Sequence, residues 1–197
     1  HISAFIDTWL ASFLISGSIS YLYYANRVFQ LPLAIFAIAT SIALFPMIAK
    51  ATKNKDENRA LHLMKKSSLI LFAVLSTSML IGIVFNEFIV KLLFERGAFN
   101  SVDTQNTALI LTMYLMGLLP FGLAKIFSLW LYANEQQYLS AKISMKSLAW
   151  NIVFSLILIK PYGAAGLAFA STLSGFILFF LTIKAFGFNK FITMYKK

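Results

Sequence analysis

The chain has 197 residues, 59% of them hydrophobic and only 12% charged, with a mean hydropathy of +0.78. A soluble domain keeps roughly a quarter of its residues charged, so a soluble globule is excluded, and the apolar excess excludes a disordered chain as well. The formal charge of +10 arises from 17 Lys and Arg against 7 Asp and Glu. Charge of that size points to nucleic acid or to an anionic surface, and where the cations sit decides between them.

Cysteine is absent, which removes disulfides, thiolate metal sites and cysteine catalysis. His1 and His62 are too few for a histidine zinc site, so no metal centre is expected. Residues 1–16 read as an apolar helix already under way, with Asp7 inside it, and no methionine opens the chain. The sequence is therefore expected to be a partial chain, its first span incomplete.

A second apolar run covers 20–49 and contains Pro32 and Pro46, each expected to kink it. The stretch 50–66 is the most polar of the chain, and a solvated loop is expected around 54–58. A third run spans 67–94, with Glu87 and Lys91 near its end. The turn FERGAF (94–99) follows, a helix end closed by Gly97, and Ser101 reads as the cap of the next helix. The fourth run, 104–133, is interrupted by Gly117, Pro120 and Gly122. The fifth and sixth, 140–160 and 162–186, are separated by the tight turn KPYGAAG. Residues 187–197 form a basic tail or the start of a further segment.

Runs near 20 apolar residues are the pattern of transmembrane helices. Lipid offers no partners to an open backbone, and a membrane barrel needs alternating segments of about 10 residues. The fold class is therefore an all-α, polytopic membrane protein. The tripeptide YAN occurs at 24–26 and 132–134, too short to mark a repeat.

With six spans, alternate loops share a side. One side receives six cations from 50–66, Lys142 and Lys146, and four from the tail, twelve in all. The other receives Lys91, Arg96 and Lys160, leaving Arg27 and Lys125 within or at the edge of spans. Cytoplasmic loops carry the Lys/Arg excess, so the twelve-cation side is expected to be cytoplasmic and FERGAF to face outward. Most of the +10 is thus topology, and nucleic acid is not an expected partner.

Charges inside spans are the informative ones, each costing about 2.5–3.5 kcal/mol at a helix centre on insertion scales. Two readings fit Arg27: a guanidinium facing a cavity and gripping a phosphate or pyrophosphate, or an interfacial arginine snorkelling to headgroups. Lys125 has the same two readings beside the broken fourth span. Asp7 either faces protein, paired with a cation or proton, or lies at the interface. Asn151 and Ser155 share a helical face. With Ser171 and Asp7 they make either an oxygen-lined cation site or polar helix packing. No phosphate loop and no nucleophile–base pattern is present, so an enzyme or ATP-driven pump is not expected.

The string GSISYLYYANRVFQLPLAIFAIATSIALFPMIAK resembles the stretch GS-x-S-x-L-Y-Y-A-[DN]-R-x-x-x-L-P-L-x-[IL]-F of the MurJ/MviN lipid II flippases. FERGAF, GLLPFGLAKIFSLWLYA (117–133) and NIVFSLILIKPYGAAGLAFAS (151–171) are similar to further motifs of that family, in order along nearly the whole chain. The resemblance implies the multidrug/oligosaccharidyl-lipid/polysaccharide exporter superfamily, with two helical lobes around a cavity. This chain would hold the seventh through twelfth of fourteen helices, a helical bundle forming part of the C-terminal lobe.

The implied function is flipping lipid II, the undecaprenyl-pyrophosphate-linked disaccharide peptide, across the bacterial inner membrane. The alternatives are export of another polyprenyl-linked oligosaccharide and a non-transporting structural subunit. Implied partners are lipid II, membrane lipids and the first lobe of the same protein. By the resemblance Arg27 matches a cavity arginine that helps hold the diphosphate. Asp7, Asn151, Ser155 and Ser171 match positions proposed for Na+ as a coupling ion, with no other cofactor. Ser155 and Ser171 stand where the family often has Asp and Thr, and Asn26 stands where the family has an Asp before the arginine. EQQYLSA replaces its usual Asp-x-Lys-Thr-Pro.

Overall fold

The computed structural model describes residues 2–14 and 16–196, with side chains from Phe5 onward. His1 and Ile15 of the predicted first span, and Lys197 of the basic tail, lie outside the described residues. Among the described residues every element is helical: α1 Ile2–Ala11, α2 Ser18–Pro32, a π-helical stretch Leu33–Ile38, α3 Ala39–Lys53, α4 Glu57–Val84, α5 Asn86–Phe94, α6 Ser101–Leu115, α7 Leu118–Ala133, α8 Gln137–Phe186 and α9 Phe188–Lys196. Four continuous stretches, Ser18–Lys53, Glu57–Val84, Ser101–Ala133 and Gln137–Phe186, are long and apolar enough to cross a membrane.

The last of these folds back on itself. Gly163 has φ 61° and ψ −135°, a combination that essentially only glycine adopts. The Ser147 hydroxyl donates to the Ser174 carbonyl at 2.8 Å, and a Cβ at Gly166 would stand 2.4 Å from the Leu158 carbonyl oxygen. The halves 137–162 and 164–186 therefore run antiparallel in close contact.

Proline acts differently at its two sites in the second run. Pro32 has no N–H to donate, and its ring crowds the preceding turn. The helix responds by widening into the π-helical stretch just after it. Pro46 lies inside α3, which runs on to Lys53.

The solvated loop expected around 54–58 is a short turn, 54–56, between two helices. α3 continues to Lys53 and α4 starts at Glu57, capped by Asp56, whose carboxylate accepts from the Arg59 amide at 3.1 Å. The polar composition marks helices projecting beyond the apolar layer. The third run, expected as one helix to 94, ends α4 at Val84 and restarts at Asn86. The Asn86 side chain accepts from the Glu87 amide at 2.7 Å and donates to Thr112 Oγ1 at 2.8 Å, tying the bend to α6. The cap of α6 is Asn100 and not Ser101. Asn100 Oδ1 accepts from the Val102 and Asp103 amides, and Asp103 Oδ2 accepts from the Asn100 amide at 2.8 Å, a reciprocal capping box.

α7 forms the centre of the bundle, packed by α8, α4 and α3. Phe127 is 1% exposed. Its ring meets Phe179 and Phe186 of α8 and Phe191 of α9 edge-on. Several hydroxyls within the spans find partners on their own helix: Ser41, Thr77 and Ser78 each donate to the carbonyl four residues back, which removes the penalty of an open donor in hydrocarbon. Large apolar side chains cover much of the outer surface, among them Ile42, Ile70, Leu80 and Ile157. So broad an apolar exterior is what a lipid-facing surface requires.

The two YAN tripeptides occupy unlike places. Tyr24–Asn26 lies inside α2, whereas Tyr132–Asn134 ends α7.

Candidate functional site

α2 carries a polar row on its exposed face. Ser20, Tyr23, Arg27 and Gln30 are all exposed, at spacings of three and four that stack them along one side of a helix. Arg27 Nη2 donates to the Tyr23 hydroxyl at 2.8 Å, and the guanidinium stands 4.8 Å from the centre of the same ring. Gln30 Nε2 donates to Asn26 Oδ1 at 3.2 Å. The one ion pair among the described residues joins Lys190 and Glu57, so no carboxylate neutralises Arg27.

The FERGAF turn is clamped to this helix. The Tyr24 ring packs on Phe94 at 4.6 Å and on Phe99 at 5.6 Å. The Tyr21 hydroxyl donates to Asp103 Oδ1 at 2.7 Å, and Thr104 Oγ1 donates to Glu95 Oε2 at 2.7 Å. The motif therefore fixes the end of α2 from which Arg27 projects, less than one turn from Tyr24. Gly97, with φ 58°, makes the turn. Sequence reasoning missed Tyr23 as the partner of Arg27 and Tyr21 as the anchor of Asp103. The i, i+4 spacing of Tyr23 and Arg27 was the available signal.

Lys125 is exposed on α7. One turn before it, Phe121 packs against Phe29 of α2 and would collide with a Cβ at Gly175. Lys125 lies toward the basic end of the bundle and Arg27 toward the FERGAF end. No hydrogen bond or ring contact joins them among the described residues.

Asp7 of α1 is 6% exposed, and its Oδ1 has no hydrogen-bond partner among the described residues. α1 packs on α8. There Ser155, fully buried, donates to Asn151 Oδ1 at 3.3 Å. Ser171 is half-buried on the second half of α8, and its carbonyl accepts from Ser174 Oγ at 2.6 Å. Tyr114 of α6, buried and stacked on Phe29, interacts with the Asn26 side chain and lies within electrostatic range of Asp7. Asn151 and Ser155 are thus brought together, and a carboxylate stands on the helix that packs against theirs.

Helices of membrane-spanning length, an apolar exterior and charged or polar side chains held within the spans define an all-α, multi-pass membrane protein. Comparison with known proteins gives the family. A family model described as "Lipid II flippase MurJ" matches residues 1–196, and the chain belongs to that family. Over 195 residues it is 54% identical to a probable lipid II flippase MurJ of Helicobacter pylori strain J99, covering 99% of this chain and 42% of the relative. It is 34% identical over 177 residues to the protein of that description from Rhizobium meliloti, covering 89% of this chain and 33% of the relative. A solved structure, a lipid II flippase MurJ in an inward closed conformation, superposes with a TM-score of 0.86 at 26% identity. It covers 99% of this chain and 44% of its own. The chain thus spans between a third and somewhat over two-fifths of the length of these relatives.

Proposed function

We propose that this chain forms most of the second lobe of a flippase that carries lipid II from the cytoplasmic to the outer leaflet of the bacterial inner membrane. Transport proceeds by alternating access, without making or breaking a covalent bond. The observation that carries this reading is the unneutralised Arg27 on the polar row of α2. A helix face turned to lipid is apolar, whereas polar groups at membrane depth face protein or a water-filled cavity. The row therefore marks the side of this lobe that lines the substrate path, opposite the first lobe.

Arg27 presents donors in a planar fork matched to phosphate oxygens, and its packing on Tyr23 limits its rotamers, so it meets a pyrophosphate already oriented. Lys125 adds a compact positive charge nearer the cytoplasmic end, on the side from which the substrate enters. Asp7, Asn151, Ser155 and Ser171 would hold a sodium ion. The donor set fits a hard cation because all four offer oxygen and Asp7 Oδ1 is a buried acceptor still without a donor. A bound cation supplies the charge that balances Asp7, and the membrane potential adds about 2.3 kcal/mol per charge per 100 mV.

Depletion of the full-length protein in its host tests the assignment. Lipid II accumulating in the inner leaflet is the expected result. Normal lipid II exposure with loss of another surface polysaccharide supports the exporter alternative, and normal exposure of both leaves the structural role. For the cation, transport in sodium-free medium at an unchanged rate removes the assignment of Asp7.

A further inference from the structure

A second polar site stands at the basic end of the bundle, away from Arg27. The α3–α4 turn, the α7–α8 turn and the α8–α9 junction surround a cavity of about 460 Å³, within the size range of small-ligand pockets. Lys55 and Lys190 line it, with Asn134, Gln136 and Thr52 between them and the Trp130 indole as its apolar wall. Thr52 Oγ1 is buried and has no hydrogen-bond partner among the described residues. The Lys190 ammonium stands 4.4 Å from the Trp130 ring and 3.7 Å from Glu57 Oε1. That ion pair is part-exposed on both sides and so is weak. Lys55 has no ion-pair partner among the described residues.

Two of the walls are held in a conformation that side chains resist. Lys55 has φ 58° and Glu135 φ 59°, each directly after a helix end. In both turns the amide that follows reaches back to a helical carbonyl, Asp56 to Ala51 at 2.9 Å and Gln136 to Leu131 at 2.8 Å. This is the closure that normally uses glycine, and a side chain there costs roughly 1–2 kcal/mol. The same uncommon choice occurs on two walls of one cavity, and strained backbone of this kind gathers at ligand sites.

We propose that this cavity binds a phosphate anion, and that the source is the headgroup of an anionic phospholipid of the cytoplasmic leaflet. Among the side chains that line the cavity, two ammonium groups stand against one carboxylate, with Asp56 and Glu135 in the same turns but outside the lining. The Gln136 amide and the second hydrogen of the Asn134 amide, whose first goes to the Trp130 carbonyl at 2.8 Å, supply donors for the remaining phosphate oxygens. Basic pockets between spanning helices on this side take anionic headgroups. The bound lipid bridges three turns and holds α9 against the bundle.

The test uses the full-length protein in nanodiscs of phosphatidylcholine, with or without an equal part of phosphatidylglycerol, and reads the shift in thermal unfolding midpoint that the anionic lipid produces. The paired substitution Lys55→Gln with Lys190→Gln is compared with Lys142→Gln with Lys146→Gln, which removes two charges from the same side outside the cavity. The expected result is a stabilising shift in the parent that the cavity pair loses in large part and the control pair retains. Equal losses in both pairs, or no shift in the parent, overturn the proposal. Inorganic phosphate added to phosphatidylcholine nanodiscs separates the sources. A midpoint unchanged by free phosphate assigns the site to lipid, and a shift that the cavity pair abolishes overturns the lipid assignment in favour of a soluble phosphate.

Discussion

Gly166→Ala is expected to destabilise the protein by roughly 1–3 kcal/mol or more, the range for forcing extra atoms into a packed interior. An alanine methyl at this position would lie 2.4 Å from the Leu158 carbonyl oxygen and 3.0 Å from its carbon. These are backbone atoms of the facing half of α8, so no side-chain rotation relieves the clash and the hairpin must open. Opening it lengthens the hydrogen bond from Ser147 to the Ser174 carbonyl. It also disturbs the Phe127, Phe179 and Phe186 contacts that seat the second half on α7. Thermal unfolding of the full-length protein in detergent measures the effect. Gly175→Ala is the informative comparison, because the atoms nearest its methyl belong to the Phe121 side chain, at 2.7 Å, and not to backbone. A Gly166→Ala midpoint no lower than that of Gly175→Ala contradicts the close approach of the two halves.

Arg27→Ala is expected to reduce flipping by roughly 10- to 100-fold, since hydrogen bonds to a charged partner contribute about 1.5–3 kcal/mol. The loss should fall on transport and spare stability: Arg27 is exposed, its partners are Tyr23 and its own helix, and surface substitutions usually change stability by less than about 0.5 kcal/mol. Arg27→Lys should recover part of the activity, because an ammonium keeps the charge and lacks the planar fork. Complementation of a depletion strain and the unfolding midpoint together separate the two effects. Full activity of Arg27→Ala would remove the role proposed for Arg27.

Much of the architecture was legible because membrane helices are written in composition. Long apolar runs must become helices in lipid, whatever their neighbours. Family membership was legible from motifs spread in order along the chain. The finer features depended on contacts that a linear reading does not contain. The solvated turn around 54–58 was legible from its charges, but the helix ends on either side were not, because charged residues build an exposed helix as readily as a loop. The bend at Phe85 follows from the Asn86 side chain reaching Thr112 on another helix. The α6 cap fell one residue from its expected place because Asn100, with two donors to accept from, outcompetes a serine that is already helical.

The candidate site divides in the same way. Asn151 and Ser155 share a face by simple helical spacing, and they are joined at 3.3 Å. That Tyr23 holds Arg27, and that Tyr114 connects Asn26 with the surroundings of Asp7, rests on rotamers and on helix packing. The first had only the i, i+4 spacing of Tyr23 and Arg27 as a signal, and the second had none.

The central claim is that the row Ser20, Tyr23, Arg27 and Gln30 on α2 faces an aqueous path and not lipid. This chain has no cysteine, so single cysteines can be introduced at Tyr23, Gln30, Ile42 and Phe45 of a full-length protein otherwise freed of cysteine, and probed with a membrane-impermeant maleimide. Rapid labelling at 23 and 30 with none at 42 and 45 is the predicted result. Positions 23 and 30 as unreactive as 42 and 45 would place the row in lipid and contradict the account.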